Sequence, residues 1–90
     1  MNKALVTVVN QKGVHARCAS LIVEKCKAFV SEINLIKDST KANAKSIIGI
    51  MLLEAVIGTD LTVEADGPDE EEAIQALTEL FASGFGEEDS

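Results

Sequence analysis

Residues 61–72, LTVEADGPDEEE, contain the change of period that decides the fold class. Over residues 61–66, apolar side chains alternate with polar ones, which is the pattern of a strand buried on one face. A Gly-Pro pair then interrupts the strand. Four acidic residues follow at 69–72, where a helix dipole favours negative charge. The apolar stripe of the helix that they begin is Ala73, Ile74, Leu77, Leu80 and Phe81.

The rest of the chain alternates between strand and helix patterns in the same way. Further strands are predicted over residues 4–9, 32–37 and 41–44, and further helices over residues 16–30 and 47–53. The resulting order is β-α-β-β-α-β-α. It favours an α+β fold, in which a largely antiparallel sheet is covered on one face by helices.

The first predicted helix has one apolar face. Its members recur three or four positions apart: Ala19, Ile22, Val23, Cys26, Phe29 and Val30. Cys18 and Leu21 fall beside the centre of this stripe, so we expect one or both to be partly exposed. Ser20 and Ser31 fall on the opposite, polar side.

Length and charge limit the classes of function. With 90 residues, the chain has room for one domain, predicted over residues 1–85, followed by a short acidic tail at 86–90. The net charge is −7 and the only aromatic residues are three Phe, so nucleic acid is excluded as an expected partner. The acidic runs are interpreted as a solvated helix start and a frayed tail, and their charge suits a partner with a basic surface.

The sequence predicts a soluble, cytoplasmic protein. No secretory signal is visible at the N-terminus, and the longest apolar run, residues 47–53, is too short to cross a bilayer. Cys18 and Cys26 would lie about 12 Å apart along one helix, too far for a disulfide.

His15 is the only histidine, and it directly precedes a predicted helix. A helix start binds anions through its backbone N–H groups and its dipole. Arg17 adds a fixed positive charge that suits phosphate oxygens, and an imidazole can act as a nucleophile. The segment can therefore carry a phosphoryl group, although spacing alone equally describes a surface histidine in a helix-entry loop.

Ser46 is the second candidate residue, as the predicted N-cap of the short helix after it. That helix has too many apolar residues to bury all of them, and an exposed apolar patch often marks a docking surface. A phosphate on Ser46 would place negative charge beside the patch. The simpler interpretation is an ordinary cap that contributes about 1 kcal/mol to stability.

Cys18 is the third candidate, because helix N-termini can activate thiols. The simpler interpretation is a small apolar side chain that packs in the core. His15 and Cys18 have a metal-like spacing, but Cys26 alone cannot complete a tetrahedral site, so no metal is expected.

Three segments together resemble the histidine-containing phosphocarrier family, HPr. They are Gly13-Val14-His15-Ala16-Arg17 followed by Ala19-Ser20, then Lys45-Ser46-Ile47-Ile48-Gly49-Ile50-Met51, and finally Ala65-Asp66-Gly67-Pro68-Asp69-Glu70 with Ala73-Ile74. The likeness covers nearly the whole chain, and the motifs keep the family's order and spacing.

The resemblance implies an open-faced β-sandwich, with a four-stranded antiparallel sheet and three helices on one face. It implies a phosphocarrier of the phosphoenolpyruvate:sugar phosphotransferase system that is not itself an enzyme and needs no cofactor. Enzyme I would phosphorylate His15 on Nδ1, and a IIA-type domain would receive the group. Arg17 would steady the phosphoryl group, and Ser46 would match a regulatory serine that a dedicated kinase and phosphatase act on.

The resemblance also implies a docking face around His15. It would comprise Ala16, Cys18, Ser20, Leu21, Ile47, Ile48 and Met51. We expect a monomer, because a carrier must keep this face accessible. Cys18 departs from the family, which usually has proline at this position, and we expect the substitution to change the lifetime of the phospho-imidazole.

Other functions remain open at this point. The carrier could serve sugar uptake or a regulatory relay such as nitrogen-linked control. The chain could instead be an interaction module switched at Ser46, in which His15 is incidental. A small ligand-binding regulatory domain would need a concave pocket, which a sandwich of this size rarely has.

Overall fold

The computed structural model describes residues 1–86, and within them the predicted order of strands and helices is confirmed. The elements are β1 Asn2–Thr7, α1 Ala16–Lys27, β2 Glu32–Lys37, β3 Thr40–Asn43, α2 Ile47–Met51, β4 Asp60–Asp66 and α3 Glu70–Ala82, with a 3-10 turn at Gly84–Gly86.

The strands form one antiparallel sheet in the order β1-β4-β2-β3. β4 lies between β1 and β2, so that Ala65 is opposite both Asn2 and Ile33. β2 turns directly back into β3, where Lys37 pairs with Thr40. The alternating segment that indicates the fold class is thus an internal strand, and its pattern is strong because one of its faces is buried along its length.

The helices cover one face of the sheet, which confirms the open-faced α+β sandwich. The buried side chains of the two internal strands are Ile33, Leu35, Leu61, Val63 and Ala65. They belong to one core cluster with the apolar stripes of α1 and α3, whose fully buried members include Ile22 and Leu77. The opposite face of the sheet is open, and Leu5 on β1 is 68% exposed there.

The expectation that one or both of Cys18 and Leu21 are partly exposed is confirmed by Leu21, whereas the expectation that Val30 belongs to the apolar face is wrong. Cys18 is fully buried, because loop residues Asn10 and Gly13 fold over the first turn of the helix and contact its sulfur. Leu21 is half-buried, as expected. Val30 is 75% exposed, because α1 ends at Lys27 and the chain turns away from the apolar stripe before it reaches this position.

Some element boundaries differ from those predicted from the sequence. β1 spans Asn2–Thr7, although Val8 still exchanges hydrogen bonds with residues 58 and 59, at 2.8 and 2.9 Å. α2 stops at Met51 because the Leu52 N–H is the last to bond four residues back. The N–H groups of Leu53 and Glu54 bond three residues back, and Glu54 takes a φ of 52°.

The start of α3 is bonded to its neighbours. The Asp69 carboxylate accepts hydrogen bonds from the N–H groups of Val30 and Ser31, each at 3.0 Å, and from the Ser31 hydroxyl. These bonds hold the pKa of Asp69 below its usual value, and the bond from the Ser31 hydroxyl has the largest effect. Glu70 accepts from the Gly67 N–H at 3.1 Å. The solvated interpretation of this acidic run is therefore wrong for its first two members, and Ser31 is buried instead of exposed.

The C-terminal part of the described chain packs on the core. Phe85 is buried, and its ring meets that of Phe81 edge-on with centroids 5.0 Å apart. Gly86 belongs to the closing 3-10 turn. Residues 87–90 of the predicted acidic tail lie outside the described residues, so the domain boundary at residue 85 stays a prediction.

Candidate functional site

His15 caps the N-terminus of α1. Its backbone is extended, with φ −94° and ψ −175°, and its carbonyl accepts the first helical hydrogen bond, from Ala19 at 2.9 Å. Its side chain does not cap the helix. The preceding loop is fixed by Gly13, which has a φ of +69°, and by the Val14 N–H, which donates to the Ala55 carbonyl at 2.8 Å. The imidazole is therefore held half-exposed at the helix end.

The electrostatic character of this helix end is positive. No acidic residue occupies the first turn of α1, and Arg17 is exposed within that turn. The N–H groups of residues 16–18 point out of the helix at its N-terminus, which is the positive end of the helix dipole. This end of α1 therefore suits an anion attached to the ring of His15, and it brings His15 and Arg17 together as the sequence predicts.

A buried polar cluster lies behind the imidazole. The Cys18 sulfur is 3.4 Å from His15 Nε2 and 3.7 Å from the Gly13 carbonyl oxygen. Asn10 Nδ2 donates to the same carbonyl at 2.7 Å and approaches the sulfur at 3.8 Å. The prediction that Cys18 touches a partner is wrong, because its side chain has no exposed surface.

Ser46 caps α2, as predicted. Its backbone is extended, and its Oγ accepts a hydrogen bond from the Gly49 N–H at 3.1 Å. Lys45, which precedes it, reaches the end of α1, where Nζ donates to the Phe29 carbonyl at 2.8 Å. The start of α2 is therefore tied to the C-terminal end of α1.

α2 exposes an apolar surface. Ile48 is 74% exposed, Ile47 and Met51 are each at least 40% exposed, and only Ile50 of this helix is buried. α2 packs against α1, on which Ala16 and Ser20 are exposed and Leu21 is half-buried. The apolar surface extends beyond the predicted residues, because three more are exposed: Leu52, Val56 and Ile57.

The sequence interpretation missed Asn10 and Lys37. The only sequence signal of the bond between Asn10 and Gly13 is the position of Asn10 three residues before a glycine. Lys37 ends β2, and its Nζ donates to the carbonyls of Leu53 and Glu54 at 2.9 and 3.3 Å. This tether fixes the C-terminal end of α2, and no local pattern indicates it.

Residues 1–86 contain no group of three or more His, Cys, Asp or Glu side chains that could hold a metal ion. Within the same residues, no helix has both the length and the apolar character needed to cross a membrane.

Comparison with known proteins points to one family. Residues 3–83 match a family model described as the PTS HPr component phosphorylation site. Phosphocarrier protein HPr of Cupriavidus necator is 43% identical over 90% of this chain and 91% of its own. Phosphocarrier protein NPr of Escherichia coli is 41% identical over 96% and 97%.

Solved structures agree with these matches. The crystal structure of HPr from Thermoanaerobacter tengcongensis superposes with a TM-score of 0.93, is 46% identical, and covers 98% of this chain and 99% of its own. A second crystal structure of that protein is of an HPr dimer, with a TM-score of 0.77 and 97% and 100% coverage. The expectation of a monomer therefore does not hold for every relative.

Family model, relatives and fold all coincide over nearly the full length of the chain. The protein thus belongs to the HPr family of phosphocarrier proteins of the phosphotransferase system.

Proposed function

We propose that this protein carries a phosphoryl group on His15, which it accepts from enzyme I and passes to IIA-type domains. The observation that carries the proposal is the position of the imidazole, half-exposed at the positive end of α1 with Arg17 in the same turn. A surface histidine needs neither of these features. A carrier needs both, because the group must be stabilised and must stay within reach of a second protein.

The transfer chemistry follows from the ring. A lone pair on Nδ1 attacks phosphorus, the phosphorus–nitrogen bond forms, and the bond to the donor breaks, so that its electron pair leaves with the donor group. The phosphoryl oxygens then lie near the amides of residues 16–18 and the Arg17 guanidinium, which form charge-assisted hydrogen bonds. The imidazole is half-exposed, so a IIA-type acceptor can reach the group for the reverse attack.

The exposed apolar surface of α2 is the proposed docking face for both partners. Ile47, Ile48 and Met51 form it, and it continues onto α1 at Leu21 with Ala16 and Ser20 at its edge. A small, flat surface of this kind supports weak, rapidly reversible complexes. Such complexes suit a carrier that has to leave one partner before it meets the next.

Ser46 is proposed as a regulatory phosphorylation site. Its Oγ already lies at the N-terminus of α2 and accepts the Gly49 N–H, and a phosphate there would be next to Ile47 on the docking face. The added charge would oppose burial of the apolar surface by a partner. Incubation with a serine kinase specific for this family, followed by measurement of transfer to a IIA-type domain, tests this role.

The final pathway is proposed as sugar uptake, with a nitrogen-linked regulatory relay as the second candidate. The relay stays a candidate because this chain is about as similar to NPr of Escherichia coli, with 41% sequence identity, as to HPr of Cupriavidus necator, with 43%. Competition between a sugar-type and a nitrogen-type IIA domain for the phosphorylated protein distinguishes them.

We further propose that the protein works in the cytoplasm as a monomer. Enzyme I and phosphoenolpyruvate act there, and a dimer that covered α2 would block docking. Light scattering after gel filtration tests the oligomeric state. A stable dimer that still transfers phosphoryl groups would overturn the monomer proposal.

The test of the carrier function is phosphorylation by purified enzyme I and phosphoenolpyruvate. We expect a mass increase of one phosphoryl group that is lost in acid and is absent in His15→Ala. No adduct, with an enzyme I that phosphorylates another carrier, would refute the proposal and favour the interaction module switched at Ser46.

Arg17→Gln and Lys27→Gln form a matched pair for the role of the guanidinium. Each removes one positive charge from α1, but Lys27 is at the far end of the helix. Loss of a charge-assisted hydrogen bond should slow transfer about tenfold or more in Arg17→Gln only. Equal rates in the two variants would show that Arg17 does not contact the phosphoryl group.

A further inference from the structure

Cys18 makes a specific contact with the imidazole of His15. Its sulfur is 3.4 Å from Nε2, while the whole residue is buried beneath the loop that precedes α1. Gly13 and Asn10 of that loop also reach the sulfur, at 3.7 and 3.8 Å. Because these groups surround it, the thiol occupies a defined place between the loop and the ring.

The donors and acceptors around the sulfur favour one arrangement of protons. A thiol has one hydrogen, and the Gly13 carbonyl can only accept, so the S–H is best used on that oxygen. The sulfur lone pairs then face Nε2, where they accept a hydrogen bond if Nε2 carries the proton. The opposite arrangement, with S–H directed at Nε2, would place sulfur and carbonyl lone pairs against each other.

We propose that Cys18 is a positioning residue that holds the neutral imidazole of His15 in the tautomer with its proton on Nε2. That tautomer carries its lone pair on Nδ1, so the inference rests on the proposed function, in which Nδ1 takes the phosphoryl group. The relay runs from Nε2–H to the sulfur and from S–H to the Gly13 carbonyl. Asn10 Nδ2 donates to the same carbonyl at 2.7 Å and holds it in place.

The same relay serves the phosphorylated ring. When the phosphorus–nitrogen bond forms on Nδ1, the proton on Nε2 stays where it is. The ring gains a positive charge, which the hydrogen bond from Nε2–H to the sulfur stabilises. No proton has to move before or during transfer. The contact also fixes the plane of the ring, so the Nδ1 lone pair keeps one direction with respect to the start of α1.

The test compares Cys18→Ala with Cys26→Ala and Cys18→Ser. Cys26 is the other cysteine of α1 and is equally buried, but it lies about two turns further along the helix than Cys18, so its variant controls for a small cavity in the same helix. Cys18→Ser keeps one donor and one acceptor at the site. It preserves the test if Cys18→Ala fails to fold.

The readout is the pair of imidazole ¹⁵N chemical shifts, recorded with the ring neutral; His15 is the only histidine, so no assignment is needed. We expect the Nε2–H tautomer and a slowly exchanging Nε2–H signal in the wild type, Cys26→Ala and Cys18→Ser. In Cys18→Ala the signal should exchange faster or weaken. If Cys18→Ala is unfolded, loss of the slowly exchanging signal in Cys18→Ser, which keeps a donor and an acceptor at the site, would count against the inference. Phosphoryl transfer should slow about two- to fivefold in Cys18→Ala, the contribution of one weak sulfur hydrogen bond.

Two results would overturn the inference. One is a wild type in which Nδ1–H predominates. The other is a set of shifts and exchange rates that does not change when the thiol is removed. Failure of the carrier function itself has a different signature, since no acid-labile adduct would form on the wild type while the ring signals would still report on Cys18.

Discussion

Gly13→Ala is the perturbation that tests most directly how the backbone builds the site. Gly13 has a φ of +69°, which an L side chain rarely adopts. A Cβ there would lie 2.7 Å from the Ala55 carbonyl oxygen and 3.0 Å from the Val56 Cα. Both are backbone atoms, so neither can rotate away. The same Ala55 carbonyl accepts the Val14 N–H, and the methyl group would therefore disturb the bond that holds the His15 loop.

The cost in the free energy of unfolding has two parts. Forcing alanine into a left-handed conformation costs about 1 kcal/mol. Overpacking against an unyielding neighbour costs about 1–3 kcal/mol more. Gly13→Ala should therefore lose about 2–4 kcal/mol, a large share of the stability of so small a domain. With a urea m-value on the order of 1–2 kcal/mol/M, the midpoint should fall by about 1–4 M.

Gly58→Ala is the matched control. Gly58 also has a positive φ, +86°, but no heavy atom of the described residues lies within 4 Å of the position its Cβ would take, apart from those of Gly58 and its two chain neighbours. It carries the conformational cost of about 1 kcal/mol without the steric one. The change that alanine makes in the unfolded chain is common to both variants and cancels in the comparison.

Urea unfolding followed by circular dichroism measures both variants, and phosphoryl transfer from enzyme I is measured on the folded protein. We expect Gly13→Ala to be less stable than Gly58→Ala by about 1–3 kcal/mol and to be the only one that transfers slowly. If the two variants lose the same stability, the close approach of Gly13 to residues 55–56 does not hold the loop, and the reasoning fails.

Three further predictions concern the core and its charged groups. Asp69 has a pKa below its usual value, so its stabilising effect is present above about pH 4 and is lost as the pH falls through the lower folded-state pKa. Asp69→Asn should therefore unfold more easily than the wild type at neutral pH, with urea midpoints that converge in strong acid; a constant difference would contradict this. Burial raises the pKa of Cys26 to about 12, against a smaller opposite effect of Lys45, so only about one molecule in ten thousand carries the thiolate at pH 8. Iodoacetamide should modify Cys26 in urea but not in the native protein, and rapid native labelling would refute its burial. Leu77→Ala, at a fully buried site, should lose about 2–5 kcal/mol, whereas Leu52→Ala, 74% exposed, should stay within about 0.5 kcal/mol.

The sequence predicts those parts of the fold in which local pattern and tertiary burial agree. In β4 the alternation of Leu61, Val63 and Ala65 coincides with the buried face of an internal strand. In α3 the stripe that includes Leu77 and Phe81 is the buried face of the helix. Ser46 was predicted as a cap because capping is a local interaction, and the structure confirms its bond to Gly49.

The parts that were missed depend on contacts between distant segments. Cys18 was placed at the edge of the apolar stripe because periodicity describes a helix alone, whereas the loop of residues 10–13 covers its first turn. The Asp69 carboxylate was assigned to solvent, although the chain 38 residues earlier supplies its donors. Contacts between distant residues leave no pattern in a single sequence, because neither residue stands out from its own local sequence.

The candidate site also has a part that the sequence predicts and a part that depends on contacts between distant segments. This difference has a functional reason. His15 and Arg17 are proposed to carry the chemistry, and both can be recognised by residue type. A carrier, however, must also release the group it accepts, so strong fixation of the phosphoryl group by many charged side chains would oppose its own turnover. The precision of the site therefore has to come from groups that hold the ring, not the phosphate. These groups are the Gly13 and Ala55 backbone, the Asn10 amide and the Cys18 thiol, which hold the loop and the ring and leave the exposed side of the imidazole for the proposed partners.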